Sequence, residues 1–183
     1  MTKSLRHASR ALLAGAAFWL SIGDAAAVER KFETPIGLIV LDADPAWKDL
    51  RPVPGGVNGI AFEVGNGGQA MQLILATVEE AGQNVDAQMV RKLAEELRKS
   101  EAGEGLRVSE LKSFNGSKLI AFYYEGAAAP GAKPKRGEFT GMIAGCIYTN
   151  SFPLVFTIAW NDDGKAAADR AFDAVKRLKI VSR

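Results

Sequence analysis

The sequence predicts an α+β fold in which a mainly antiparallel sheet is covered by helices in a layered sandwich. Three observations carry that expectation. Strand-like runs dominate, and the run 70–78 is apolar at both alternating sets of positions, which calls for cover on both faces of a sheet. Two segments switch to the helical period, one in mid-chain and one near the end. The later strands come in two consecutive pairs joined by short turn signals, so neighbours in sequence are expected to pair antiparallel.

The first 27 residues follow different rules. Lys3, Arg6 and Arg10 precede the apolar run A-L-L-A-G-A-A-F-W-L, and S-I-G-D-A-A-A follows it. This is the order of a secretory signal peptide. Ala25 and Ala27 place small residues at the third and first positions before a cut, so cleavage between Ala27 and Val28 is expected, with periplasmic or secreted localisation. The alternative is an uncleaved anchor, but the apolar core falls short of the roughly 20 residues a membrane span needs. Arg6 and Arg10 are not adjacent, which leaves the twin-arginine route unsupported, and no cysteine follows the run to carry a lipid.

Cleavage changes the chemical inventory. It removes three of the 23 Lys+Arg and one of the 21 Asp+Glu, leaving 20 of each and no formal net charge. The basicity of the full chain is therefore that of its leader, and no general attraction to nucleic acid or to an anionic membrane follows. His7, the single histidine, leaves as well. A domain without histidine and with one cysteine, Cys146, builds neither a Ser-His or Cys-His pair nor a His/Cys zinc site within one chain. Residues 28–183 have the length of one domain, which needs no disulfide to hold a core.

Within that domain the run 32–41 reads as one strand. Asp44 and Pro45 then suit the N-cap and first position of a short helical turn carrying Trp47, and R-P-V-P-G-G-V-N-G is a loop. Strands are expected at 60–64 and 70–78 around G-N-G-G. From Asp86, the residues Met89, Val90, Leu93, Ala94 and Leu97 mark the buried face of a helix of about four turns, ended by Gly103 and Gly105. Residues 108–114 and 118–125 flank Asn115-Gly116, the strongest hairpin signal in the chain. A Gly/Ala/Pro/Lys loop covers 126–137. Strands at 138–149 and 154–160 follow, then N-D-D-G and a second helix through Ala168, Ala171, Phe172, Val175 and Leu178.

In layout, this chain resembles the PsbP/Mog1/DcrB-like superfamily. The resembling stretches are T-P-I-G-L-I-V-L-D-A-D-P-A-W, the mid-chain helix after a strand, S-F-N-G-S-K-L-I-A-F-Y-Y, the long strand pair ending in F-T-I-A-W, and the last helix running into K-I-V-S-R. The resemblance implies small exported accessory or binding proteins with no shared catalytic residue, so no active site carries over. The balanced mature charge departs from the more basic members.

Candidate chemistry is sparse. Asp42 and Asp44 form D-x-D, and Asn161, Asp162 and Asp163 precede Gly164, but an EF-hand count from Asn161 puts Phe172 where the bidentate Glu belongs. Helix capping accounts for both clusters. Glu79-Glu80 and the Glu101/Glu104 pair sit at element ends, where exposed charge is expected. G-N-G-G opens no helix and is not followed by G-K-[ST], so it gives no phosphate cradle. Tyr123, Tyr124 and Tyr148 are packing residues in strands. Lys133, Lys135 and Arg136 form a basic patch on a loop, the candidate partner-binding loop. Cys146 falls in a strand with Met142, Ala144 and Tyr148 on its side and is expected to be a buried small hydrophobe.

The function expected is that of a non-catalytic exported module, without cofactor or metal, that recognises a protein partner or a small hydrophobic ligand. The alternatives are a histidine-independent hydrolase of envelope polymers using carboxylates or a serine, and a periplasmic immunity or inhibitor protein.

Overall fold

The structure, a computed structural model, describes residues 27–34, 37–65, 70–78, 85–103, 106–116, 119–129, 139–149 and 153–181. In chain order its regular elements are β1 (Val28–Thr34), β2 (Gly37–Ala43), β3 (Lys48–Asp49), β4 (Gly59–Val64), β5 (Met71–Thr77), α1 (Ala87–Gly103), β6 (Arg107–Val108), β7 (Lys112–Asn115), β8 (Ile120–Ala127), β9 (Gly141–Tyr148), β10 (Pro153–Trp160), α2 (Lys165–Lys176) and β11 (Lys179–Val181). The expected α+β layering is what is found.

Period-two alternation sets the faces of the main sheet. Its strands run β3-β4-β5-β10-β9-β8-β6, with β7 also on β8, and every pairing is antiparallel. Directly paired residues share a face. The register Leu73–Ile158–Ile143 and the row Leu75–Phe156 therefore line one side. There they meet Ala167, Ala168, Ala171, Ala174 and Val175 of α2, all buried in the same core. The run of alanines lets the helix lie close to the strands. Each large aliphatic or aromatic side chain buried here contributes about 1.5–3 kcal/mol.

The opposite face carries Ala144 and Cys146, and α1 packs over β8 and β9 there. Val90 and Ala94, four residues apart, are fully buried against Cys146. Asp86 caps this helix, since its Oδ1 accepts the Met89 N–H at 2.7 Å. Met89, expected on the buried face, is instead 46% exposed. The helix covers β8 and β9 but makes no comparable contact with β5, so the side of α1 that bears Met89 lacks a sheet beneath it.

The sequence reading of 32–41 as one strand is corrected to a hairpin. β1 and β2 pair from Val28–Ala43 to Thr34–Gly37, and the Thr34 hydroxyl donates to the Gly37 carbonyl at 2.7 Å. The punctuation was in T-P-I-G: a proline cannot donate to a ladder, and a following glycine eases reversal. With β11 these strands form a second, three-stranded sheet, order β1-β2-β11. Ile39, Leu41 and Ala43 of β2 complete the core around α2. The final I-V, read as a tail after the helix, is thus a strand on β2.

Two more expectations change. The helical turn placed at Asp44–Trp47 is a tight turn: the Trp47 N–H donates to the Asp44 carbonyl at 3.0 Å, and Asp44 Oδ1 accepts the Ala46 N–H at 2.9 Å. The strand expected at 108–114 is broken into β6 and β7. Ser109 makes the break, its Oγ accepting the Glu125 N–H at 3.0 Å and donating to the Glu110 carbonyl at 2.8 Å. That side chain competes with the regular ladder.

Cys146 is a buried thiol on the sheet, as its strand alternation requires, and burial pushes its pKa up to about 12. An unfolded chain releases this proton from about pH 8.5 upward. The stability tied to the neutral thiol is thus fully present below that pH and is lost as the pH rises towards about 12. Burial raises the Tyr124 phenol as well, an effect in the same direction. Urea unfolding at pH 8, 10 and 11 is expected to show falling stability, with a shallower fall in Cys146→Ala. Equal slopes in the two proteins would refute the assignment.

Candidate functional site

One concavity lies between the β6 end of the large sheet and the first two turns of α2. It has a volume of about 560 Å³. Its floor is built by register. Arg107 of β6 pairs with Ala127 of β8, Ala127 with Gly141 of β9, and Gly141 with Trp160 of β10. These four positions form one row across four strands, about 14 Å from end to end at the usual strand spacing. Ile143 lies one row further in, and Phe172 and Asp169 of α2 form the wall.

Gly141 has a steric reason to be glycine. A Cβ there would lie 2.6 Å from Cε2 and Cζ2 of Trp160, so the indole rests directly across this residue. On the helix side, Lys165 Nζ sits 5.3 Å from the centre of the Trp160 ring, within cation–π range. The rim at β9 is pinned by the Thr140 N–H, which donates to the Trp160 carbonyl at 2.8 Å, and by the Ala128 N–H, which donates to the Thr140 carbonyl at 3.1 Å.

Both carboxylates of the lining are engaged. Glu125 Oε1 is 2.7 Å from Lys112 Nζ, and this hydrogen bond raises the lysine's pKa. Asp169 pairs with Lys165 one helical turn away. Among the described residues Arg107 enters no ion pair. Another hollow, about 260 Å³, lies beside α1, its apolar lining of Val78, Val85, Met89, Val90, Leu93 and Pro153 edged by Lys92 and Glu96. Its volume falls below the usual size of ligand pockets.

The sequence-predicted residues fall elsewhere. Lys133, Lys135 and Arg136 lie outside the described residues, as do Glu79, Glu80 and Glu104. Of the cleavage pair, Ala27 is exposed and Val28 opens β1. Asp44 accepts a bond from Arg170 Nε at 2.9 Å, which ties the turn after β2 to α2. No group of three or more metal-ligating side chains occurs among the described residues. Side-chain capping at N-D-D-G is corrected too: Asp162–Gly164 form a short helical turn, and neither it nor α2 starts with a side-chain cap bond. Arg107, Gly141, Trp160 and Lys165 were not singled out as site residues, because only tertiary pairing brings them together.

The architecture is that of a PsbP-like α+β sandwich. Among solved structures the chain is similar to cyanobacterial PsbP (CyanoP) from Synechocystis sp. PCC 6803, with a TM-score of 0.55, 13% identity, and coverage of 88% of this chain and 96% of that one. At that identity the likeness establishes the fold alone. No family model and no curated protein sequence matches the chain.

Proposed function

We propose that this chain is a non-catalytic accessory or binding protein that works after export, and that it recognises a protein partner or a small hydrophobic ligand through the cleft between β6 and α2. The observation that carries this reading is the cleft's chemistry. It offers an apolar floor of ligand size, while Glu125 and Asp169 are each held by a lysine rather than poised for proton transfer. The superfamily resemblance supports the same class. Lys133, Lys135 and Arg136 would add a basic contact for a partner, and cleavage between Ala27 and Val28 would release residues 28–183.

Affinity capture from the extracytoplasmic fraction tests the reading. A protein whose N-terminus is Val28, carrying a stoichiometric partner or a co-purifying apolar molecule, is the expected result. A cytoplasmic chain retaining residues 1–27, or turnover of an envelope polymer that survives rigorous purification, would overturn it.

A further inference from the structure

We propose that the cleft is a site for an amphipathic organic carboxylate, whose apolar body packs against the Trp160 indole and over Ala127 and whose carboxylate meets Arg107. The proposal rests on the reading of this cleft as a binding site and specifies the guest. Its basis is the arrangement of the cross-strand row. The two ends of the row carry the large side chains, an aromatic ring and a guanidinium; the indole lies over Gly141, and the methyl group of Ala127 floors the gap between ring and guanidinium. That leaves a trough over Ala127 between ring and guanidinium, within a row about 14 Å long between strand axes.

Charge then decides which guest fits. A cationic guest would have to share a carboxylate already held by Lys112 or Lys165. Among the described residues no carboxylate pairs with Arg107, and its guanidinium presents to an anionic guest two parallel N–H donors that match a carboxylate. Ile143 and Phe172 flank the trough and give an apolar body surfaces to bury. The volume of about 560 Å³ is that of a small-molecule site.

The test uses purified ¹⁵N-labelled protein and two probes of equal shape, 4-phenylbutyrate and the neutral 4-phenylbutan-1-ol. Saturable shifts of the Trp160 indole N–H and the Gly141 and Ala127 amides are expected with both. A charge-assisted hydrogen bond corresponds to roughly tenfold tighter binding of the acid. Arg107→Gln should reduce the acid to the level of the alcohol and leave the alcohol's binding unchanged. Arg107 is exposed, so its variant is expected to melt with the wild type, which separates lost recognition from lost fold. Equal affinities in the wild type, an Arg107→Gln protein that still prefers the acid, or shifts confined to other surfaces would each overturn the proposal. Capture of a partner by a protein that ignores both probes would sink this inference while the binding function stood. Failure of capture and of both probes together would remove the binding function as well.

Discussion

Phe156→Ala is expected to cost about 3–5 kcal/mol of folding stability, the range for emptying a fully buried aromatic site. Phe156 is 0% exposed at the middle of β10, between Leu75 and Gly145. Its ring stacks on Phe172 of α2 with centroids 6.2 Å apart, and Phe172 in turn meets Tyr123 at 4.9 Å and Phe114 at 5.7 Å. The four rings join β7, β8, β10 and α2. The glycine beside Phe156 cannot swing in to fill the space, and the paired backbones on either side hold the strands apart, so the cavity will not collapse easily. Against a total of about 5–15 kcal/mol for a domain, that loss is a large fraction. Urea denaturation checks it: the midpoint should fall with the slope unchanged, and a loss under about 1 kcal/mol would show that the ring cluster does not hold the layers together.

What could be read in the sequence follows from how local its cause is. Helix α1 was legible because Val90, Leu93, Ala94 and Leu97 repeat at the period of one face. Strands β5, β9 and β10 were legible because their alternation is long, and Cys146 was assigned its side by the same arithmetic. The hairpin of β1 and β2 is hidden in the sequence because apolar residues continue through T-P-I-G, so the hydrophobic pattern masks the turn chemistry of its proline and glycine. Strand β11 was missed for a different reason. Three residues carry no period, and Lys179–Val181 is a strand only because β2 offers it an edge. The break at Ser109 likewise depends on Glu125 across the sheet. The cleft combines both difficulties, since Arg107, Gly141 and Trp160 become neighbours only through the registers of three strand pairs.

Gly164→Ala is expected to destabilise the protein by about 3 kcal/mol, at the upper end of overpacking costs, and to disturb the cleft at the same time. The reason is contact rather than backbone conformation: Gly164 has φ −95°, ψ −7°, which alanine adopts freely. A Cβ at this position would run into the carbonyl of Ala70, whose carbon would lie 2.5 Å away. That carbonyl cannot retreat cheaply. It accepts the Asn161 N–H at 3.1 Å, while the Ala70 N–H is bound to the Val64 carbonyl at 3.2 Å. Shaving the Ala70 side chain would bring no relief, because the obstacle is main chain; a double variant with Ala70→Gly should be no more stable than the single one. The remaining escape is for α2 to lift at its first turn, and Lys165, next in sequence, sits over Trp160. The Trp160 indole resonance should therefore shift in Gly164→Ala. Gly103, at the end of α1, is the control: nothing lies within 4 Å of a Cβ there. Gly103→Ala is expected to be neutral or to gain about 0.4–1 kcal/mol through a less flexible unfolded chain. Thermal melts should separate the pair, with Gly164→Ala lower by about 6–12 °C for a domain of this size. Coincident melts would mean that the turn before α2 is not held against Ala70 as tightly as this contact requires.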